Sequence, residues 1–179
     1  GWVISQEDFF KVPGIDYLKL RYSIGLLGND QTKAWLWRQR YTFQDGKGGV
    51  FGGDLGTTGG YKMEASPNPN ATWSDELKNN LGIDAKFLDS RLSFSVDGYF
   101  NHATNILTEI VSNIPVTVGG SVASQNFGII NYYGYELGLG WNDRIGKEFT
   151  YGVDLRFAWS DNKVIRLDYN ANDVLYPFN

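Results

Sequence analysis

From Arg91 to Asn101 apolar and polar residues take turns with hardly a break: Leu92, Phe94, Val96 and Phe100 fall on one side, Arg91, Ser93, Ser95, Asp97 and Asn101 on the other. A period of two marks a β-strand with one apolar and one polar face. The same alternation covers Leu18–Leu27, Leu77–Phe87, Tyr133–Asn142 and Phe149–Ser160. In the last run Phe149, Tyr151, Val153, Leu155, Phe157 and Trp159 oppose Thr150, Gly152, Asp154, Arg156, Ala158 and Ser160. Strands of soluble sheets commonly run about five or six residues, whereas a strand crossing a bilayer at a tilt needs about 9–11. These runs match the second length. The pattern predicts an all-β chain, an antiparallel transmembrane β-barrel segment of about six strands.

Turn residues sort the strands into hairpins. Leu88-Asp89-Ser90 joins a strand at 73–87 to one at 91–107, and Asp143–Lys147 joins 126–142 to 149–163. Between the strands lie a Gly-rich stretch, Gly28–Asn70, with Trp35, Trp37, Tyr41 and Phe51, and a second loop, Thr108–Ser124; Arg166–Asn179 begins a third. Short and long connections therefore alternate, like the short periplasmic turns and long extracellular loops of outer-membrane barrels. At the start, Gly1–Ile4 reads as a strand end. Ser5 is expected to cap a turn ahead of Glu7 and Asp8, and Pro13-Gly14 breaks the chain before the next strand.

Alternation alone also suits a soluble barrel whose apolar face turns inward. The aromatic placement favours lipid: Trp73 and Trp159 toward the long loops, and Phe87, Trp141 and Phe149 toward the turns, would form two interfacial girdles. The alternate face carries charges of both signs among glycines, which suits a wet lumen. Six strands are also too few to close a wide barrel, so a chain standing alone would keep two exposed edges.

Composition narrows the classes. No apolar run approaches the roughly 18 residues of a membrane helix, and a mean hydropathy of −0.32 is what averaging two opposite faces yields. A net charge of −4 argues against a nucleic-acid partner. Without cysteine there is neither a disulfide nor a thiolate metal site. The chain begins at Gly1, inside an apparent strand and without Met, so it is expected to be an internal piece of a longer protein.

Several motifs occur in a telling order. They are Gly1-Trp2-Val3-Ile4-Ser5 with Glu7-Asp8-Phe9, Leu18-Lys19-Leu20-Arg21-Tyr22-Ser23 and Gly25-Leu26-Leu27-Gly28-Asn29. Then follow Asn68-Pro69-Asn70-Ala71-Thr72-Trp73, Asn80-Leu81-Gly82-Ile83-Asp84, and Arg91-Leu92-Ser93 with Asp97 and Tyr99. Thr104–Leu107, Asn126-Phe127-Gly128, Gly134-Tyr135-Glu136 and Asp161-Asn162-Lys163-Val164 complete the series. Their succession resembles the later barrel strands of SusC/RagA-type TonB-dependent outer-membrane transporters, over nearly the whole chain apart from the variable loops. Ser74 departs from the acid that usually follows the Trp, and Tyr132 stands where Asn is common.

The resemblance implies that residues 1–179 are part of one TonB-dependent receptor β-barrel domain of about 22 strands, in the bacterial outer membrane. The plug domain, the N-terminal segment that contacts TonB and the C-terminal strands are expected outside this stretch. It further implies import of a glycan, oligosaccharide or peptide nutrient under a SusD-like surface lipoprotein lid, without catalysis, cofactor or metal.

Each candidate residue has a plainer reading beside its functional one. Trp35, Trp37 and Tyr41 are candidates to stack on ligand or pack on the lid. They also suit an aromatic cluster that holds a Gly-rich loop, or a strand continuing beyond the membrane. Glu76, Lys78, Asp84, Lys86, Arg91, Asp97, Glu136, Asp154 and Arg156 form the expected lumen wall. Cross-strand ion pairing is their default reading, at roughly 0.2–1 kcal/mol per pair.

His102 is the sole histidine. It would need a nearby serine to act as a catalytic base, so a polar strand-end role is expected. Asp168, Asn170 and Asn172 begin a calcium-loop spacing, but Asp173 replaces its Gly and Asn179 its Glu. Asn70-Ala71-Thr72 matches a glycosylation sequon and is given no role. Gly134, Gly138 and Gly140 are small inward residues rather than a dinucleotide loop, because no helix follows. The competing classes are a soluble carbohydrate-binding β-protein and an outer-membrane barrel enzyme.

Overall fold

The alternating runs are strands, longer than the patterns that mark them. The computed structural model describes residues 1–30, 32, 34–52, 56–110, 117 and 120–168. In chain order the strands are β1 (Trp2–Val3), β2 (Ile15–Asn29), β3 (Tyr41–Gln44), β4 (Val50–Phe51), β5 (Gly56–Thr57), β6 (Gly60–Met63), β7 (Ser74–Phe87), β8 (Leu92–Thr108), β9 (Gln125–Ile145) and β10 (Phe149–Arg166). One antiparallel sheet takes six of them in the order β1-β2-β7-β8-β9-β10; β3 pairs with β6, and β4 with β5. This is the meander that short and long connections require.

The start of the chain differs from expectation. Ile4–Gln6 form a single 3-10 turn, and no side chain caps it. Ser5 lies inside that turn rather than ahead of it, so its hydroxyl is not at the capping position. The turn is held instead by Trp2, whose indole Nε1 donates to Glu7 Oε1 at 2.9 Å and whose ring lies 6.2 Å from Phe9. Beyond the turn Gly14 takes φ +87, and β2 begins at Ile15.

The hairpin between β7 and β8 turns where expected, through an unusual backbone. Leu88, Asp89 and Ser90 all have φ near +60, a region that costs L-residues roughly 1–2 kcal/mol each. Asp16 Oδ2 accepts from the Ser90 N–H at 2.7 Å and helps hold the turn. At the β9–β10 turn Gly146 supplies the positive φ, +66, at little cost.

Contacts divide the chain into two units. The first contains Gly1–Leu27, Asp75–Ala103 and Ile130–Ile165, the body of the six-stranded sheet. Its two faces are as unlike as the alternation predicts. On one lie Tyr22, Ile24 and Leu26, then Leu77 and Leu81, Phe94 and Phe100, Leu137 and Leu139; all are exposed. On β10 Val153 is 54% exposed, Leu155 61% and Phe157 55%.

Among the described residues the buried hydrophobic side chains are only Ala85, Ala103 and Ala123, and no large side chain is fully enclosed. A soluble barrel would turn this apolar face inward, since wetting each such side chain forgoes about 1.5–3 kcal/mol. The face has the length of a hydrocarbon core: Leu92 to Phe100 on β8, Tyr133 to Trp141 on β9 and Phe149 to Trp159 on β10, each close to the roughly 9–11 residues that cross. On β10 the same face then turns charged at Asp161 and Lys163, so the apolar band ends at Trp159. Aromatics gather there. Tyr133 and Tyr135 lie 5.9 and 5.7 Å from Trp159, and Phe149 stacks on Tyr151 at the turn end.

The second unit is built from Gly28–Ser74, Thr104–Ile129 and the chain from Arg166. The Gly-rich stretch, expected as a loop, contains a nested ribbon. Tyr41↔Met63 to Gln44↔Gly60 pair β3 with β6, and Val50↔Thr57 and Phe51↔Gly56 pair β4 with β5. Gly48 and Gly60 let the two backbones approach, because a Cβ on Gly60 would meet Gly48 Cα at 2.9 Å.

Candidate functional site

Two regions carry polar chemistry, one in each unit. In the sheet unit the polar face holds every charged strand residue singled out from the sequence. At its centre is Arg21 of β2. Its Nε and Nη2 donate to both oxygens of Asp84 on β7 at 2.7 and 3.0 Å, and Nη2 also reaches Asp97 Oδ2 on β8 at 2.8 Å. The fork of a guanidinium fits a carboxylate in two-point contact and leaves an N–H for a second acid. Gly82 makes the room, since a Cβ there would collide with Asp97 Oδ1 and Arg21 Cζ.

The other charges pair more loosely or not across strands. Glu76 and Lys78, two apart on β7, are 3.5 Å apart, and Arg91 reaches Asp143 at 3.6 Å. Glu136 stands on the polar face of β9. Asp154 and Arg156 of β10 line a trough of about 630 Å³ with Asp84, Lys86, Ser93 and Ser95. Gly138 and Gly140 floor this trough, because a Cβ on either would run into Ser95 Oγ or into Ser93 Oγ and Asp154. The small inward positions read from the sequence are therefore clearance for polar side chains of the neighbouring strands.

In the second unit two buried or bridging asparagines join distant segments. Asn68, 8% exposed, donates from Nδ2 to Ser124 O at 3.0 Å and accepts the Asn70 N–H on Oδ1 at 3.0 Å. Its own N–H reaches Leu36 O at 2.8 Å. Asn126 donates from Nδ2 to Thr72 O and Asn105 O at 2.8 and 2.7 Å, and accepts the Thr72 N–H at 3.0 Å. Backbone bonds from Ser66 to Ser121 and from Ala123 to Ser66 complete the join. Around it opens a cleft of about 470 Å³ whose walls include Trp35, Arg38, Arg40, Glu109, Ser121 and Ser124.

Trp35 and Trp37 do not lie on a strand. The backbone reverses at Trp35, φ +64, so the two indoles sit on a turn with ring centres 6.2 Å apart. Both are exposed, 58% and 57%. Tyr41, exposed on β3, pairs with Met63, and only Trp35 of the three lines the cleft.

His102 Nδ1 lies 2.6 Å from Asn131 Oδ1, so that nitrogen is occupied by an amide and not by a serine. Asn170, Asn172, Asp173 and Asn179 of the calcium-like spacing lie outside the described residues. Arg21, Asn68 and Asn126 escaped the sequence reading as site residues. Arg21 stands 63 and 76 positions from its acids, and Asn68 stands 56 from Ser124, distances that no local pattern spans.

No family model matches the chain. Over 173 residues, 93% of this chain and 17% of the relative, it is 28% identical to the TonB-dependent receptor SusC of Bacteroides thetaiotaomicron. A TonB-dependent receptor of Formosa agariphila is 28% identical over 168 residues, 93% of this chain and 15% of the relative. Among solved structures the RagAB peptide transporter superposes with a TM-score of 0.74 at 20% identity, covering 96% of this chain and 18% of that one. The RagAB peptide importer in its open-open state gives 0.75 at 20% identity, over 93% and 17%. The chain thus spans less than a fifth of the length of the proteins it matches, and over that stretch it has the antiparallel fold of barrel strands.

Proposed function

Proceeding from a chain that is a stretch of SusC/RagA-type TonB-dependent receptor barrel in the bacterial outer membrane, we propose that the intact protein actively imports a glycan, oligosaccharide or peptide nutrient. The observation that carries this reading is the two-faced sheet. Its apolar side suits hydrocarbon, and its opposite side bears fixed charges suited to an aqueous path. The whole of residues 1–179 belongs to one barrel domain.

In this reading Glu76, Lys78, Asp84, Arg91, Asp97, Glu136, Asp154 and Arg156 line the water-filled side, facing a plug or a passing solute. Arg21 holds Asp84 and Asp97 in place there, and the trough with Asp154 and Arg156 supplies polar contacts along the wall. Trp35, Trp37 and Tyr41 contact the ligand or a SusD-like lipoprotein lid. That lid captures the solute, and force relayed from the proton-motive force through TonB shifts the plug. The protein performs positioning and gating rather than bond chemistry. The receptor and transporter names of the relatives and structural neighbours support this.

The test is uptake by cells that make the full-length protein. Entry of a labelled oligosaccharide or peptide is expected to fall to the level of the gene-deleted strain when TonB is removed or the proton-motive force is collapsed. Entry that persists unchanged without TonB refutes active import.

A further inference from the structure

Trp35 combines two properties that folding does not reward. It is mostly exposed, and it holds a left-handed backbone conformation, φ +64, which is uncommon for a bulky residue and recurs at ligand sites. Next to it stands Arg38. Arg38 donates its backbone N–H to Trp35 O at 3.0 Å, so guanidinium and indole share one turn, and among the described residues no carboxylate pairs with it.

The other charges of the cleft are taken. Arg40 Nη2 lies 2.9 Å from Glu64 Oε2, while Thr42 Oγ1 holds Glu64 Oε1 at 2.6 Å. Glu109, also on the wall, is itself engaged. Ser121 and Ser124 also line the cleft, and the Asn68 join fixes the segment that carries them. The cleft, at about 470 Å³, lies within the range of small-ligand sites.

We propose that this cleft takes an acidic oligosaccharide, with a uronate carboxylate on Arg38 and a pyranose face on Trp35. A carboxylate matches the planar fork of a guanidinium in two-point contact. The apolar C–H face of a sugar ring matches an exposed indole, and Trp37, its ring tilted 54° to that of Trp35, adds a second exposed aromatic face beside it. The lining serines suit the many donors and acceptors of a sugar. A cation with no carboxylate partner among the described residues then separates acidic from neutral glycans, because neutral ones leave it unpaired. The inference rests on the importer reading and narrows its substrate class.

Titration calorimetry on the full-length protein in detergent tests it, using uronate tetramers (oligogalacturonate and oligomannuronate), their carboxyl-reduced neutral counterparts and an acidic tetrapeptide. At least one uronate is expected to bind roughly tenfold or more tightly than its reduced form. Arg38→Gln should cut that preference below about threefold and leave neutral binding unchanged, whereas Trp35→Ala should weaken both forms. Lys47→Gln, an exposed cation of the same unit that does not line the cleft, serves as the control for charge loss and should keep the preference. The proposal is overturned if no uronate binds, if reduced forms bind equally, if Arg38→Gln keeps the preference, or if the acidic peptide binds tightest. TonB-dependent uptake of a neutral glycan alongside any of those results removes this inference and leaves the importer reading standing.

Discussion

Asn68 shows how much of the second unit rests on one side chain. It is buried, and its amide serves Ser124 O and the Asn70 N–H together, while its backbone N–H meets Leu36 O. Removing the amide takes one partner from the Ser124 carbonyl and one from the Asn70 N–H, both only partly buried, at a cost of roughly 0.5–1.5 kcal/mol each. Asn68→Ala is therefore expected to speed protease nicking in residues 34–52, 56–73 and 120–124 of the membrane-embedded protein, with the heat-resistant mobility of the barrel on gels unchanged. Equal cleavage of both proteins would count against the join. Asn68 was visible in the sequence as part of an ordered motif, Asn68-Pro69-Asn70, but its partner was not. Arg21 was harder still: one basic residue on the polar side of an alternating run, with nothing nearby to announce that it holds Asp84 and Asp97.

At the scale of a strand the side chains behave as two populations. Along β10 the odd-numbered residues from Phe149 to Trp159 are apolar and the even-numbered ones small or polar, and the apolar set is left uncovered, with Val153, Leu155 and Phe157 all exposed. Leu155→Arg places a charge near the middle of the apolar band and is expected to cost about 2–4 kcal/mol in reversible unfolding from lipid vesicles. Asp154→Asn, one residue away on the wet side, should shift the same curve by less than about 0.5 kcal/mol. Similar losses from the two substitutions would mean the faces are misassigned. The position of the 88–90 turn was legible as the gap between two runs, but its three left-handed residues were not, because none of them is glycine or asparagine.

For the whole chain the decisive fact is what has no cover. Large apolar residues on five strands are exposed, and the described residues enclose only alanines as buried hydrophobics. Expressed by itself in aqueous buffer, the 179-residue chain is expected to aggregate, and detergent or lipid vesicles should disperse it with β-type circular dichroism. A monodisperse solution without detergent, seen by light scattering, would restore the soluble-barrel reading. The sequence by itself determined which residues face which way, since side-chain direction along an extended backbone depends only on position. It also set the order of short and long connections. Tertiary structure alone decided the contacts between distant segments: the Arg21 fork on two acids, the glycine clearances beneath Ser93 and Ser95, the asparagine joins, and the turn that removes Trp35 from any strand. Those depend on strand register and on how long connections close, which arise from the sum of many pairings and leave no periodic trace in the chain.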